Sequence, residues 1–385
     1  MKQEVIEQLE GYGDIVREIE IARKYGRDFT GEKGSVKSFI DRLHPKQIAM
    51  RVSEIIDETV STRTFRLVGT RGPLPPFQAG QYVSVSVEVD RIKTSRAYSI
   101  ASAPCETGYF DLTVRRMEKG LVSNFLLDRI EVGDSLVCSG PKGTFHHNPI
   151  IHDDTLVLLA GGSGITPLMS MIRDTVARGL NRTLYLLYGN RSVDDIIFHE
   201  ELLQIADRHP NFHYLPVVEH PAADYQGKTG YITADLIRET VGEISGKSFF
   251  ICGPQAMYNF CLPELKKLNV PGRKIRKEMF GTPINIWEYP GWPAGVKPDN
   301  PCRISVNGSH GLESVSAQSI LVTLEKNGLV IPSTCRSGKC SMCRVKILSG
   351  SVFQPQGTPV RKSDRQFGYV HACVSYPLED LEILI

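Results

Sequence analysis

The stretch Cys335-Arg336-Ser337-Gly338-Lys339-Cys340-Ser341-Met342-Cys343 sets three cysteines at C-x4-C-x2-C, and Cys373 follows after 29 further residues. Thiolates spaced in this way can wrap a small inorganic centre. A tight loop supplies three sulfurs, and a distant segment brings the fourth to close the cage. Ser337, Gly338 and Ser341 are small, so backbone N–H groups can approach the sulfurs and help set the reduction potential. A structural zinc site would favour two C-x2-4-C pairs, whereas the fourth cysteine here stands alone. Disulfides are disfavoured in a reducing compartment. His371 precedes Cys373 by two residues and reads as an ordinary loop residue, because four thiolates already complete the ligand set.

Working outward, residues 302–385 form a small domain of short β runs around these cysteines. Residues 281–301 are rich in Pro and Gly and read as a linker. Trp287 and Trp292, the two tryptophans of the chain, lie in it, which predicts a strap packed on a surface. Residues 151–280 alternate apolar runs (Leu156 to Ala160, Leu184 to Tyr188, Ser248 to Cys252) with helical patterns. That alternation predicts a parallel sheet covered on both faces. Residues 47–150 carry period-two runs, Thr62 to Val68 and Gln81 to Val87, with regular Gly and Pro punctuation, as a small barrel would. In residues 1–46, Val5, Leu9, Tyr12, Val16 and Ile19 fall on one helix face. Phe29 to Lys37 reads as a polar loop and Val36 to Leu43 as a second short helix. A helical extension packed on the body is expected.

The 385 residues are 41% hydrophobic and 23% charged, with 45 Lys and Arg against 43 Asp and Glu. This balance gives no support for nucleic-acid or membrane binding. No apolar span nears the ~20 residues of a membrane helix, and the charged start, Met1 to Glu10, lacks a signal-peptide apolar core. Nine cysteines, an odd number in a long chain, do not look like a secreted disulfide framework. A cytoplasmic protein is expected.

Two further sets of residues bear on chemistry. Arg96-Ala97-Tyr98-Ser99 closes the second barrel run: an Arg suits a phosphate, a Tyr ring packs on an aromatic cofactor, and a Ser hydroxyl can bond a ring nitrogen. About twenty residues on lies Gly120-Leu121-Val122-Ser123. Gly161-Gly162-Ser163-Gly164-Ile165-Thr166-Pro167 follows an apolar strand and precedes a helix, so its backbone can approach a dinucleotide. Cys252-Gly253-Pro254 follows another such strand, and Glu278-Met279-Phe280 ends the region.

The cysteine spacing is similar to that of plant-type [2Fe–2S] ferredoxins, a resemblance that implies a β-grasp domain with Cys335 and Cys340 on one iron and Cys343 and Cys373 on the other. Arg96 to Ser99 and Gly120 to Ser123 resemble the R-x-Y-S and G-x-x-S segments of the ferredoxin–NADP reductase superfamily. The full order resembles oxygenase reductase components, including the phthalate dioxygenase reductase and phenylacetyl-CoA epoxidase reductase groups. The resemblance covers residues 47 to 385 and implies a multidomain α+β protein: a flavin-binding antiparallel β-barrel, an α/β nicotinamide-binding domain and the ferredoxin domain. It implies FAD rather than FMN, held by Arg96, Ala97, Tyr98, Ser99, Gly120, Val122, Ser123 and Phe280. It places NADPH or NADH at Gly162, Ser163, Gly164, Thr166, Pro167, Cys252, Gly253 and Pro254. Ser99, Cys252 and Glu278 would serve the hydride step, with Cys252 positioning the ring rather than attacking it.

The implied activity is electron transfer from NAD(P)H through the flavin to the cluster, and on to a partner redox protein, an oxygenase or a reductase component. A reductase of free flavin or metal chelates, or a redox sensor with little turnover, are the competing readings. Arg191 and Ser192, after the run ending at Tyr188, favour NADPH because Arg suits a 2′-phosphate, although Asp194 and Asp195 lie close by. From Arg303 on, nine basic residues face six acidic ones. Arg336, Lys339 and Arg344, interleaved with the cysteines, are expected to form a basic rim that steers the partner.

Overall fold

The computed structural model describes residues 11–25, 35–281, 285–309 and 311–385. The chain divides into two units, Met1–Lys46 and Gln47–Ile385. In the first, α1 (Tyr12–Tyr25) and α2 (Ser35–Leu43) are the described elements. Gly11, at φ +84°, precedes α1, and α1 buries none of its residues, leaving Ile15, Ile19 and Ile21 exposed. The expected contributions of Val5 and Leu9 lie outside the described residues. Of the expected loop, Ser35 to Lys37 are helical, because the apolar period of α2 extends back to them.

The second unit begins with a six-stranded antiparallel sheet. Its strands are β1 (Ile48–Thr59), β2 (Thr62–Gly69), β3 (Tyr82–Val89), β4 (Ile92–Ser99), β5 (Tyr109–Arg115) and β6 (Ser135–Cys138), in the order β4-β3-β6-β1-β2-β5. A bridge between Ile100 and Leu112 brings the two edges together, curling the sheet into a barrel around Met50, Val52, Phe65, Leu67, Val85 and Phe110. The β3–β4 hairpin turns through Asp90 and Arg91, both at positive φ (+49° and +69°), the geometry that suits the twist of a two-residue hairpin. Helix α3 (Leu121–Arg129) buries Val122, Leu126 and Leu127 against this core.

Next come β7 (Thr155–Gly161), α4 (Ile165–Ala177), β8 (Thr183–Asn190), α5 (His199–Arg208), β9 (Phe212–Val218), β10 (Lys228–Thr229), α6 (Ala234–Val241), β11 (Lys247–Cys252), α7 (Gln255–Lys267) and β12 (Ile275–Glu278). The sheet order is β10-β9-β8-β7-β11-β12, and every pair is parallel. Leu156 and Leu158 of β7 face one core, and Val157 and Leu159 face the other. A strand buried on both faces reads as a continuous apolar run, which is why β7 was legible without alternation.

The C-terminal region holds β13 (Pro301–Val306), β14 (Leu312–Val315), α8 (Ile320–Lys326), β15 (Arg344–Ser349), β16 (Val352–Phe353), α9 (Lys362–Gln366), β17 (Tyr369–His371), β18 (Tyr376–Pro377) and β19 (Leu381–Leu384). Five of the strands form a mixed sheet in the order β14-β13-β19-β15-β17, with Ile320, Leu321 and Leu324 of α8 packed into its core. Ahead of it, Trp292 packs edge-on against Phe353 at 5.1 Å and donates from Nε1 to the Val296 carbonyl at 2.8 Å. Trp287 is exposed, so one of the two tryptophans, not both, fastens the strap. No described helix is long and apolar enough to cross a membrane.

Candidate functional site

The four expected cluster cysteines meet in the C-terminal region. Cys335, Cys343 and Cys373 are buried and Cys340 is partly exposed. The thiols approach in two pairs, Cys335 with Cys340 and Cys343 with Cys373. Two thiol pairs suit a two-iron cluster better than one tetrahedral ion. The Cys335 sulfur accepts from the Cys340 N–H at 3.3 Å and the Ser337 N–H at 3.5 Å. The hydrogen bond from the Cys340 thiol, with these N–H groups, pushes the Cys335 thiol down, the direction that favours a metal-binding thiolate. The loop turns through Arg336, Gly338 and Ser341, all at positive φ. A side chain at Gly338 would meet Val374 Cγ2 at 2.8 Å. His371 is fully buried, and neither ring nitrogen has a hydrogen-bond partner, so it is a core residue and not the ordinary loop residue expected.

On the barrel, β4 carries Arg96, Ala97, Tyr98 and Ser99 against β3, with Ser99 opposite Tyr82. The Ser99 hydroxyl is buried and has no partner. An orphaned buried hydroxyl is costly, and a flavin ring nitrogen would satisfy it. Arg96 donates from Nη1 to Thr94 Oγ1 and to the Ser95 carbonyl, both at 2.8 Å. Burial, then the charge of Arg336, brings its guanidinium down to about 10, still cationic at neutral pH. Gly120 caps α3 without a side-chain bond. A side chain there would meet Met117 Cβ at 2.8 Å and collide with the Ser123 hydroxyl, so the helix start stays open to a ligand. These features fit a flavin with a pyrophosphate.

In the parallel sheet, chain order reverses between β7 and β11, and ligands of such sheets bind outside the strand ends at that point. β7 ends at Gly161 and runs into Gly162 to Gly164, and β11 ends at Cys252 and runs into Gly253-Pro254. The two turns press together: a Cβ on Gly161 would meet Met257 Sδ at 2.6 Å, and one on Gly164 would strike the Cys252 carbonyl. Gly162 has φ +51°, and its carbonyl accepts from Tyr188 Oη at 2.9 Å. Thr166 Oγ1 donates to the Ser163 carbonyl at 2.6 Å, and Pro167 is buried in the first turn of α4. Cys252 pairs with Glu278 across β11 and β12. Burial, then the Glu278 carboxylate, pushes the Cys252 thiol up, so it stays protonated and is a poor nucleophile. Burial also raises Glu278. Arg191 is exposed and makes no side-chain ion pair among the described residues, whereas Asp195 is paired with Arg115.

The three regions meet around Tyr82, a residue that sequence reading passed over. Its ring packs edge-on against Phe280 at 5.7 Å. Its phenol is pushed up by burial first, then by Cys335, Cys340 and Glu278. Lys339 donates from Nζ to the Lys277 carbonyl at 3.0 Å and lies 3.5 Å from Glu278 Oε1. Arg336, 5% exposed, pairs with the equally buried Glu325. Arg344 pairs with Asp364 at 2.8 Å and stacks over Tyr369. Arg336 is therefore withdrawn from the expected basic rim by burial, whereas Lys339 and Arg344 keep side chains 40% and 44% exposed beside their acidic partners. Sequence reading also missed Arg115, whose guanidinium lies against the Gly162 turn. No local signal marks Tyr82, Thr94, Glu325 or Arg115, since each has a partner far away in the sequence.

Three family models match the chain: an oxidoreductase FAD-binding domain over residues 47–147, an oxidoreductase NAD-binding domain over 158–262, and a 2Fe-2S iron-sulfur cluster binding domain over 304–378. The glycine betaine monooxygenase reductase subunit of Chromohalobacter salexigens is 30% identical over 348 residues, covering 87% of this chain and 94% of that one. The NADH oxidoreductase HCR of Escherichia coli is 30% identical over 335 residues, covering 86% and 96%. Phthalate dioxygenase reductase shares the fold, with a TM-score of 0.66 over 88% of this chain and 98% of its own, at 24% identity. The chain belongs to the same family as these two 30% identical relatives, oxidoreductases of the ferredoxin–NADP reductase superfamily, and joins an FAD-binding, an NAD-binding and a 2Fe-2S cluster binding domain in one polypeptide.

Proposed function

We propose that this oxidoreductase draws electrons from NAD(P)H at the turns after β7 and β11 and delivers them from the Cys335 to Cys373 loop to a separate oxygenase component. The observation that carries the reading is the meeting of Ser99, Glu278 and the cluster thiols around one side chain, Tyr82. A flavin held here would supply the exchange between the two-electron chemistry of a hydride and the one-electron chemistry of a [2Fe–2S] centre. The protein's residues bind and orient. In this reading Arg96, Gly120, Val122 and Ser123 hold the flavin phosphates, with Ala97 and Tyr98 lining the ring. Ser99 bonds the ring's reactive nitrogen. Gly162, Ser163, Gly164, Thr166, Pro167, Gly253 and Pro254 shape the dinucleotide cradle. Cys252, kept as a neutral thiol, sets the nicotinamide face, and Glu278 and Phe280 close the pocket around it. Arg191 and Ser192 favour the 2′-phosphate of NADPH, a preference supported by the unpaired guanidinium of Arg191. Cytoplasmic residence and a monooxygenase or dioxygenase partner complete the reading, the partner resting on the named functions of the relatives.

The test is Ser99→Ala with flavin content measured. The reading expects retained flavin and a flavin-reduction rate lower by about tenfold or more, the loss of one transition-state hydrogen bond. Retained flavin with a parental rate would remove Ser99 from the site.

A further inference from the structure

Thr94 lies two residues before Arg96 on β4, and its hydroxyl is the hub of a buried network that joins β4 to α8 and the cysteine loop. Thr94 Oγ1 donates to Glu325 Oε2 at 3.1 Å, and it accepts from Arg336 Nη2 at 2.9 Å and from Arg96 Nη1 at 2.8 Å. A hydroxyl has one proton to give and two lone pairs, so every capacity of Thr94 is used. Arg336 adds Nη1 to Glu325 Oε2 at 3.1 Å and pairs through Nη2 with Oε1. Thr94 is 6% exposed, and Glu325 and Arg336 are 5% exposed. Networks of this kind hold one geometry, because a half-satisfied version is costly.

The placement gives the network a direction. Arg336 follows Cys335 directly and is held at φ +52°, a conformation that a long side chain keeps only when its surroundings enforce it. Lys339 precedes Cys340 directly and reaches the Lys277 carbonyl and Glu278. The two paired thiols of the loop are therefore each flanked by a cation anchored on a different sheet, Arg336 on the flavin strand and Lys339 on the strand that ends at Glu278.

We propose that these contacts form a two-point clamp that fixes the cluster loop against the flavin and nicotinamide sites, with Thr94 and Lys339 as positioning residues for flavin-to-cluster electron transfer. The proposal rests on the reading given under Proposed function. It differs from a role for Arg336 and Lys339 in merely offsetting thiolate charge, because charge balance does not need the uncharged hydroxyl of Thr94.

The experiment compares the full-length holoprotein with Thr94→Val, Thr94→Ser and Lys339→Gln. Cofactor content is read from absorbance. Flavin reduction by NAD(P)H and cluster reduction are resolved by rapid mixing, and amide hydrogen exchange is followed over residues 92–97 and 320–337. Thr94→Val is expected to keep the flavin-reduction rate and to slow the flavin-to-cluster step by about tenfold, equivalent to ~1.4 kcal/mol. Exchange over both segments should quicken. Thr94→Ser should restore both readouts, and Lys339→Gln should slow the same step. A fully loaded Thr94→Val chain with parental transfer and parental exchange would overturn the clamp. Should Thr94→Val fail to fold or to load, Lys339→Gln decides, its side chain being 40% exposed, and an unchanged transfer step there overturns the proposal. A parent that binds no cluster would sink the functional reading instead, and the exchange arm would still decide the clamp.

Discussion

Replacing Glu325 by Leu removes the carboxylate from a pair in which both partners are 5% exposed. Arg336 would keep its charge in that place with Thr94 as its remaining partner, and its Nε is already without one. Breaking a buried pair from one side costs about 3–5 kcal/mol, because an uncompensated charge stays behind. Removing both charges, as in Glu325→Leu with Arg336→Met, replaces the pair by apolar side chains of similar length and is expected to cost under ~1 kcal/mol. The double variant should therefore be more stable than either single one, a coupling of about 3 kcal/mol or more. The assay is denaturant unfolding of the full chain, followed by the visible signal of the C-terminal region, since a chain of several domains need not unfold in one step. Single variants that each cost less than ~1 kcal/mol and add within ~0.5 kcal/mol would refute the reasoning.

Arg191→Ala should lower the NADPH to NADH ratio of kcat/KM by about tenfold, the worth of one charge-assisted phosphate contact; an unchanged ratio would take Arg191 out of the adenosine site. His152 should make the fold acid-labile. Burial first, then Arg276, pushes its imidazole down to about 4 from 6.5, and N–H groups face both ring nitrogens, from Asn148 at 2.9 Å and Arg276 Nε at 2.8 Å. Below pH 6.5 the unfolded chain takes up a proton that the folded one refuses. Stability from this group is thus full above that pH, falls toward pH 4 and then levels off, a loss on the order of 2–3 kcal/mol. Unfolding free energies of the parent and of His152→Gln between pH 7 and 4 check it: the parent's advantage should shrink as the pH falls, and a constant difference would refute it.

The elements that were legible in the sequence share a local cause. β7 announced itself as an unbroken apolar run because helices cover both its faces, and the Gly161 to Gly164 turn followed because a strand-to-helix junction at the switch point needs small residues. The cysteine loop was legible because three of its four cysteines lie within nine residues. What sequence reading got wrong or missed depends on contacts between distant segments. Arg336, Lys339 and Arg344 look like a docking rim when counted as charges, but their partners are Glu325, Glu278 and Asp364. Charge counts do not show that Arg336 is buried or that each cation has an acidic neighbour. Tyr82 sits in a plain alternating strand, and its importance comes from Phe280, Cys335 and Cys340, residues some two hundred or more positions away. His371, two residues before Cys373, gave no hint that its ring would be sealed in the core.

The central claim is that electrons leave for a protein acceptor through the cysteine loop, and Cys340→Ser tests it most directly. NAD(P)H turnover is measured with cytochrome c and with ferricyanide, before and after the substitution, with flavin content held equal. The account predicts that cytochrome c reduction collapses along with the cluster, whereas ferricyanide, which can draw on the flavin, continues to be reduced. Turnover that survived loss of the cluster with every one-electron protein acceptor tried would contradict it.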